Sequence, residues 1–127
     1  MLLLLDTHAF LWWLNDSAEL GGRAREVIAG GDNLVFVSAA TTWEIAVKRA
    51  SGKLDAPGDI VSWIADNDFA ALSIDVEHAV EAAELPPHHH DPFDRILIAQ
   101  ARGMDLTLVT SDDRIARYEV ALLDASG

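Results

Sequence analysis

The chain has 127 residues, half of them apolar, which is enough to bury one sizeable core, and a single domain over residues 1–127 is expected. It contains no cysteine, which excludes disulfides, thiolate nucleophiles and cysteine-held zinc or iron-sulfur sites and is compatible with a reducing compartment. Its formal charge of -12, from 21 acidic against 9 basic residues, would repel nucleic acid, so a polyanion could be handled only through bound cations or locally gathered Arg and Lys.

Residues 1–5, Met followed by four leucines, are too short to cross a membrane and carry no basic segment or cleavage site of a signal peptide. With no targeting segment, the cytoplasm is the expected location. The run reads as a strand covered on both faces, central in a parallel sheet, and it stops at Asp6. Ligands of open α/β sheets sit just beyond the carboxyl ends of such strands, where Asp6 falls.

His8 to Leu14 reads as a short aromatic helix, and adjacent Trp12 and Trp13 cannot both face one core, so one is expected to face a partner or a groove. Ala24, Val27 and Ile28 give helical spacing over 20–29, with Gly30-Gly31 as the stop. A strand over 34–37 ends in Ser38, and a helix over 39–50 carries Trp43, Val47 and Ala50 along one stripe and Glu44 in its early turns. Glu44 and Lys48 are spaced for an ion pair. Further along come a helix over 60–65 around Trp63, a strand over 70–74, and a helix over 76–85 with Val80 and Ala83 inward.

Pro86-Pro87 stiffens a loop bearing His88, His89 and His90; consecutive residues seldom point at one ion, so the trio is not assigned to metal. Asp91 suits an N-cap, Pro92 the first helical position and Asp94 the third turn position of a helix running to Arg102 and closed by Gly103. A last core strand over 106–110 leads to Ser111-Asp112-Asp113, a short helix over 114–118, and an edge strand over 120–123. Apolar strands alternating with helices imply a three-layer α/β/α sandwich around a parallel sheet.

In such a sheet Asp6 and Asp112 at strand ends, and Glu44 and Asp94 in opening helical turns, share one rim. Four converging carboxylates repel and raise one another's pKa unless a cation neutralises them, and oxygen ligands of this kind suit Mg²⁺ or Mn²⁺. Such ions activate water and stabilise a departing oxyanion of a phosphodiester without a nucleophilic side chain.

The opening Leu-Leu-Asp-Thr-His, Ser-Ala-Ala-Thr-Thr-Trp-Glu-Ile-Ala-Val-Lys at 38–48, His-His-His-Asp-Pro-Phe-Asp-Arg-Ile-Leu-Ile-Ala-Gln-Ala at 88–101 and Val-Thr-Ser-Asp at 109–112 resemble the PIN-domain ribonucleases, in particular the toxin halves of bacterial VapBC toxin-antitoxin pairs. The likeness covers nearly the whole chain in order and spacing, and its most specific block is Asp-Pro-Phe-Asp-Arg. It implies a PIN-like fold and an acidic quartet of Asp6, Glu44, Asp94 and Asp112 around Mg²⁺ or Mn²⁺. Asp6 and Asp94 would be principal ligands, Asp112 a further ligand with Asp113 competing for its place, and Glu44 a ligand or the base orienting water. Thr7, Ser38 and Thr110 would be polar neighbours, and Arg95, with Lys48 and Arg49, a source of positive charge at the rim unless Arg95 pairs with an acid. It further implies RNA as substrate, a cognate antitoxin as partner, and a homodimer.

Three other readings compete. A haloacid-dehalogenase-like, metal-dependent phosphatase needs a second Asp two residues after the first, where this chain has His8. A phosphate-accepting receiver domain needs a late lysine, and none follows Lys53. A catalytically inactive PIN-fold binding module would keep the fold and use the acids only as scaffold.

Overall fold

The computed structural model describes all residues from Met1 to Gly127. Four leucines in succession suit a strand only where both faces are covered, and β1 (Leu2–Leu5) lies at the centre of a five-stranded sheet with Leu3, Leu4 and Leu5 fully buried. Its neighbours are β2 (Leu34–Ser38) and β4 (Thr107–Thr110), flanked by β3 (Ala70–Leu72) and β5 (Leu122–Asp124), in the order β3-β2-β1-β4-β5 with every pair parallel. Because side chains alternate along a strand, Leu3 and Leu5 join one core with Phe10, Ile28, Val37, Ile60 and Ile64, while Leu4 joins the opposite core with Leu97, Ile98, Leu108 and Ile115.

Helices α1 (Thr7–Leu14), α2 (Gly22–Ala29) and α4 (Ile60–Asp66) supply the first core. The second is closed by α6 (Pro92–Met104), against which α5 (Val76–Glu84) packs, and α3 (Ala39–Ala50) contributes to both through Ala40 and Ile45. The architecture is the expected helix-sheet-helix sandwich. Strand order reverses between β1 and β4, which puts the carboxyl end of β1 at the switch point of the sheet.

Local expectations fail where apolar spacing does not set the buried face. On α3 the stripe of Trp43, Val47 and Ala50 faces outward, with Trp43 59% and Val47 45% exposed, while Ala40, Thr41, Glu44 and Ile45 are buried. On α5 Val80 and Ala83 are likewise exposed and His78 and Ala82 are buried. His78 Nδ1 accepts the Asp75 backbone N–H at 3.0 Å, which turns the ring inward and fixes the helix's rotation. Trp12 and Trp13 both lie half-buried against the first core, Trp13 Nε1 donating to Asn67 Oδ1 at 3.0 Å, so the exposed indole is that of Trp43.

Strand β3 is shorter than the expected 70–74, and β5 begins two residues later than the expected edge strand. Helix α6 continues through Gly103 and ends at Asp105, whose φ of 57° and ψ of 47° place a non-glycine residue in the left-handed region. That conformation costs an L-residue with a Cβ, so Asp105→Gly is expected to raise stability by about 0.5–1 kcal/mol in urea unfolding. No helix is long and apolar enough to cross a membrane.

Candidate active site

Leu5 pairs in register with Val37 and Val109, so the next residues along the three central strands, Asp6, Ser38 and Thr110, stand side by side at the carboxyl rim. The three polar groups take up the ends of the elements that start there. Asp6 Oδ1 caps α1 by accepting the Ala9 N–H at 2.8 Å, Ser38 Oγ caps α3 by accepting the Ala40 N–H at 3.0 Å, and Thr110 Oγ1 accepts the Asp112 N–H at 3.1 Å. Asp91 caps α6 through the N–H groups of Phe93 and Asp94, and Pro92 occupies the first turn. Since α6 leads into β4, its N-terminus lies at the same rim and delivers Asp94 there.

Asp6 is buried and Asp94 and Asp112 are half-buried, and the three are close enough to feel one another. Burial pushes the Asp6 carboxyl up from its ordinary value, against hydrogen bonds from Thr110 and Ala9, and the Asp112 charge adds to the rise. Burial also pushes Asp94 up, to about 6, with the charges of Asp91 and Asp6 acting in the same sense and the His89 hydrogen bond opposing. For Asp112 burial is outweighed by Arg114, which holds the carboxyl below the usual range. Arg114 does this with its backbone N–H and Nε on Oδ1, at 2.9 and 3.2 Å, and Nη2 on Oδ2 at 3.0 Å.

His89 Nε2 lies between two of these acids, 2.8 Å from Asp94 Oδ2 and 3.4 Å from Asp112 Oδ2. One ligand-type atom from each of His89, Asp94 and Asp112 falls within 4.8 Å of the others. Asp94 and Asp112 in this group, with the Asp6 charge nearby, are the kind of crowded oxygen donors whose repulsion a hard divalent cation relieves, and the residues present fit such an ion. Asp6 is electrostatically coupled to Asp94 and Asp112 but stands outside that closest group.

Glu44 is gathered less tightly. Its carboxylate is buried at the α1–α3 contact, where Oε1 accepts the Thr7 hydroxyl at 2.6 Å and Oε2 accepts Lys48 Nζ at 2.6 Å. The expected pair with Lys48 therefore forms, and that bond is the main reason the lysine's pKa is raised. Lys48 is also near enough to Asp91 and Asp94 for their charges to push it further in the same direction.

Two expectations about the rim need correction. Arg95 pairs with no acid and does not turn its donors to the rim: its guanidinium donates to the carbonyls of Ala82, Leu85, Pro86 and His89 at 3.0, 2.8, 3.1 and 2.9 Å, tying the end of α5 to the histidine loop. Arg49 is similarly spent on the carbonyls of Ala56 and Gly58. Asp113 is exposed, and Asp112 is the one that meets His89. Sequence reasoning also missed His89, Arg114 and Tyr118. Tyr118 Oη accepts the His89 N–H at 3.0 Å and donates to the Pro86 carbonyl at 2.6 Å, seating the loop.

The sequence matches the PIN domain family model over residues 3–121. It is 28% identical over 118 residues to Ribonuclease VapC22 of Mycobacterium tuberculosis, a match covering 91% of this chain and 90% of the relative. Similar solved structures include VapBC2 from Rickettsia felis bound to a DNA fragment from its promoter, with a TM-score of 0.68, 12% identity and coverage of 97% and 98% of the two chains. Another is DNA-bound VapBC from Salmonella typhimurium, with a TM-score of 0.67, 18% identity and 98% of each chain covered.

Proposed function

The chain belongs to the PIN domain family, and from that premise we propose that it is a divalent-metal-dependent endoribonuclease, the VapC-type toxin of a toxin-antitoxin pair, built as one PIN domain over residues 1–127. The observation that carries this reading is the convergence of Asp6, Asp94 and Asp112 on the carboxyl rim at the sheet's switch point, with two of the three carboxyls pushed toward protonation. The relative's name, Ribonuclease VapC22, supports RNA as the substrate, and the VapBC complexes among the structural neighbours support a cognate antitoxin.

In this reading Asp94 and Asp112 hold the ion, Mg²⁺ or Mn²⁺, and Asp6 completes the site from the end of β1. The ion supplies charge neutralisation for the phosphodiester and a water of lowered pKa. Glu44, held on α3 by Thr7 and Lys48, is the acid that orients the attacking water in this reading. Asp6 is kept in place by the α1 amide that it caps, and Asp94 by His89. Arg114, paired with Asp112, and Lys48, paired with Glu44, are the partly exposed cations of the rim acids, 60% and 42% exposed at the side chain, and offer their remaining N–H groups to a phosphate. Trp43, 59% exposed and edge-on to Phe93 with ring centroids 5.0 Å apart, offers an apolar surface beside the start of α6 on which an antitoxin segment can seat. The protein acts in the cytoplasm, as a homodimer.

Labelled RNA incubated with the purified chain tests the reading. Cleavage is expected with Mg²⁺ or Mn²⁺ and is expected to stop in EDTA; equal decay under all three conditions would discard it. Retention of the fold with RNA binding but no metal-dependent decay would favour the inactive binding module, and release of phosphate from small phosphomonoesters the phosphatase.

A further inference from the structure

Of the three consecutive histidines, His88 and His90 are exposed, whereas His89 is 2% exposed. Its main chain is pinned at both ends, the N–H by Tyr118 Oη at 3.0 Å and the carbonyl by Arg95 Nη1 at 2.9 Å. The ring therefore has a fixed direction, into the acid pocket. Neighbouring ligand atoms of an octahedral ion with bonds of about 2.1 Å stand about 3 Å apart. The separations of 2.8 and 3.4 Å from His89 Nε2 to Asp94 Oδ2 and Asp112 Oδ2 bracket that value.

We infer that His89 Nε2 is itself a ligand of the divalent ion, beside Asp94 and Asp112, and that this nitrogen tunes the site toward a transition-metal ion such as Mn²⁺ and away from Mg²⁺. The inference rests on the metal-dependent reading above and refines it. Imidazole is a good ligand for first-row transition metals, while Mg²⁺ keeps to oxygen and holds its waters. Ligation needs an unprotonated Nε2, so the proton that Nε2 shares with Asp94 Oδ2 must move to Nδ1. In that tautomer Nδ1 gives up the weak bond that it accepts from the Asp91 N–H at 3.5 Å, at the outer limit of a hydrogen bond. The ion then takes the place of the hydrogen bond between Nε2 and Asp94 Oδ2.

The test is pulsed electron paramagnetic resonance of the Mn²⁺-loaded full chain, with and without ¹⁵N-histidine. A directly bound nitrogen that changes on labelling is expected in the wild type. It should persist when His8, His88 and His90 are all replaced by Gln and vanish in His89→Gln. Calorimetry adds a second readout: His89→Gln should weaken Mn²⁺ binding about ten-fold or more and Mg²⁺ binding distinctly less. Bound Mn²⁺ with no histidine nitrogen in the wild type overturns the inference and leaves the nuclease reading standing, and this outcome requires no variant to fold. A signal that survives in His89→Gln, or equal weakening of both ions, also overturns it. Failure of the wild type to bind Mn²⁺ at all overturns both.

Discussion

Asp94→Asn is expected to lower RNA cleavage by on the order of 10³-fold while making the metal-free chain more stable at neutral pH. On the proposed function, the loss follows from removing a charge that would hold the ion beside the reacting phosphate. The gain follows from linkage. The folded-state pKa of Asp94, about 6, lies above its ordinary value of 3.8, so the folded chain binds that proton more tightly than the unfolded chain. The resulting stability is fully present below about pH 3.8 and is lost as pH rises through about 6, at most ~3 kcal/mol for this group. Asp6, also raised, acts in the same direction, whereas Asp112, lowered, opposes it. Asparagine keeps an acceptor for His89 and carries no charge, so urea unfolding of the metal-free variant should flatten the fall between about pH 4 and pH 7. Mn²⁺ should restore stability to the wild type at pH 7 and do little for the variant. A variant as active as wild type, or one unfolded at every pH, contradicts this account of the pocket.

Arg95→Met is expected to destabilise the fold by about 2–4 kcal/mol and to reduce cleavage as well. The guanidinium satisfies carbonyls at the end of α5 that have no helical partner, and it reaches Tyr118 Oη at 3.4 Å in addition to its carbonyl partners. Methionine fills similar space and leaves those carbonyls unpaired. It also releases the His89 carbonyl, and with it the ring that meets Asp94 and Asp112. Lysine at this position should rescue little, because one ammonium cannot reproduce the planar fork that spans several carbonyls. A urea midpoint unchanged from wild type would mean that the clamp is incidental.

The parts of the molecule legible in sequence were those in which one physical signal acted alone. Four leucines ending at Asp6 could only be a strand covered on both faces, and Asp91-Pro92 marked the start of α6 through capping chemistry. Helix α3 misleads because periodicity counts apolar residues without knowing which face must carry a buried acid. Glu44 is buried by its bonds to Thr7 and Lys48, and that rotation turns Trp43 and Val47 outward. Among three identical histidines, nothing local marked His89. Its burial depends on Tyr118 and Arg95, distant in sequence from each other. Arg95 is misread for the same reason, since a guanidinium beside two acids reads as positive charge at the rim or as an ion pair until the backbone of the preceding loop is seen to surround it. Arg114 left a fainter trace, an arginine two residues after an acid at a strand end, where the carboxylate can accept both its backbone and its side chain.

The most direct measurement is anomalous diffraction from crystals of the chain grown with Mn²⁺ at neutral pH. The account predicts an anomalous peak between Asp94 and Asp112, within bonding distance of both, and its disappearance in Asp94→Asn. An empty acid pocket in crystals of a chain that still cleaves RNA, or a peak that persists undiminished without Asp94, would contradict it.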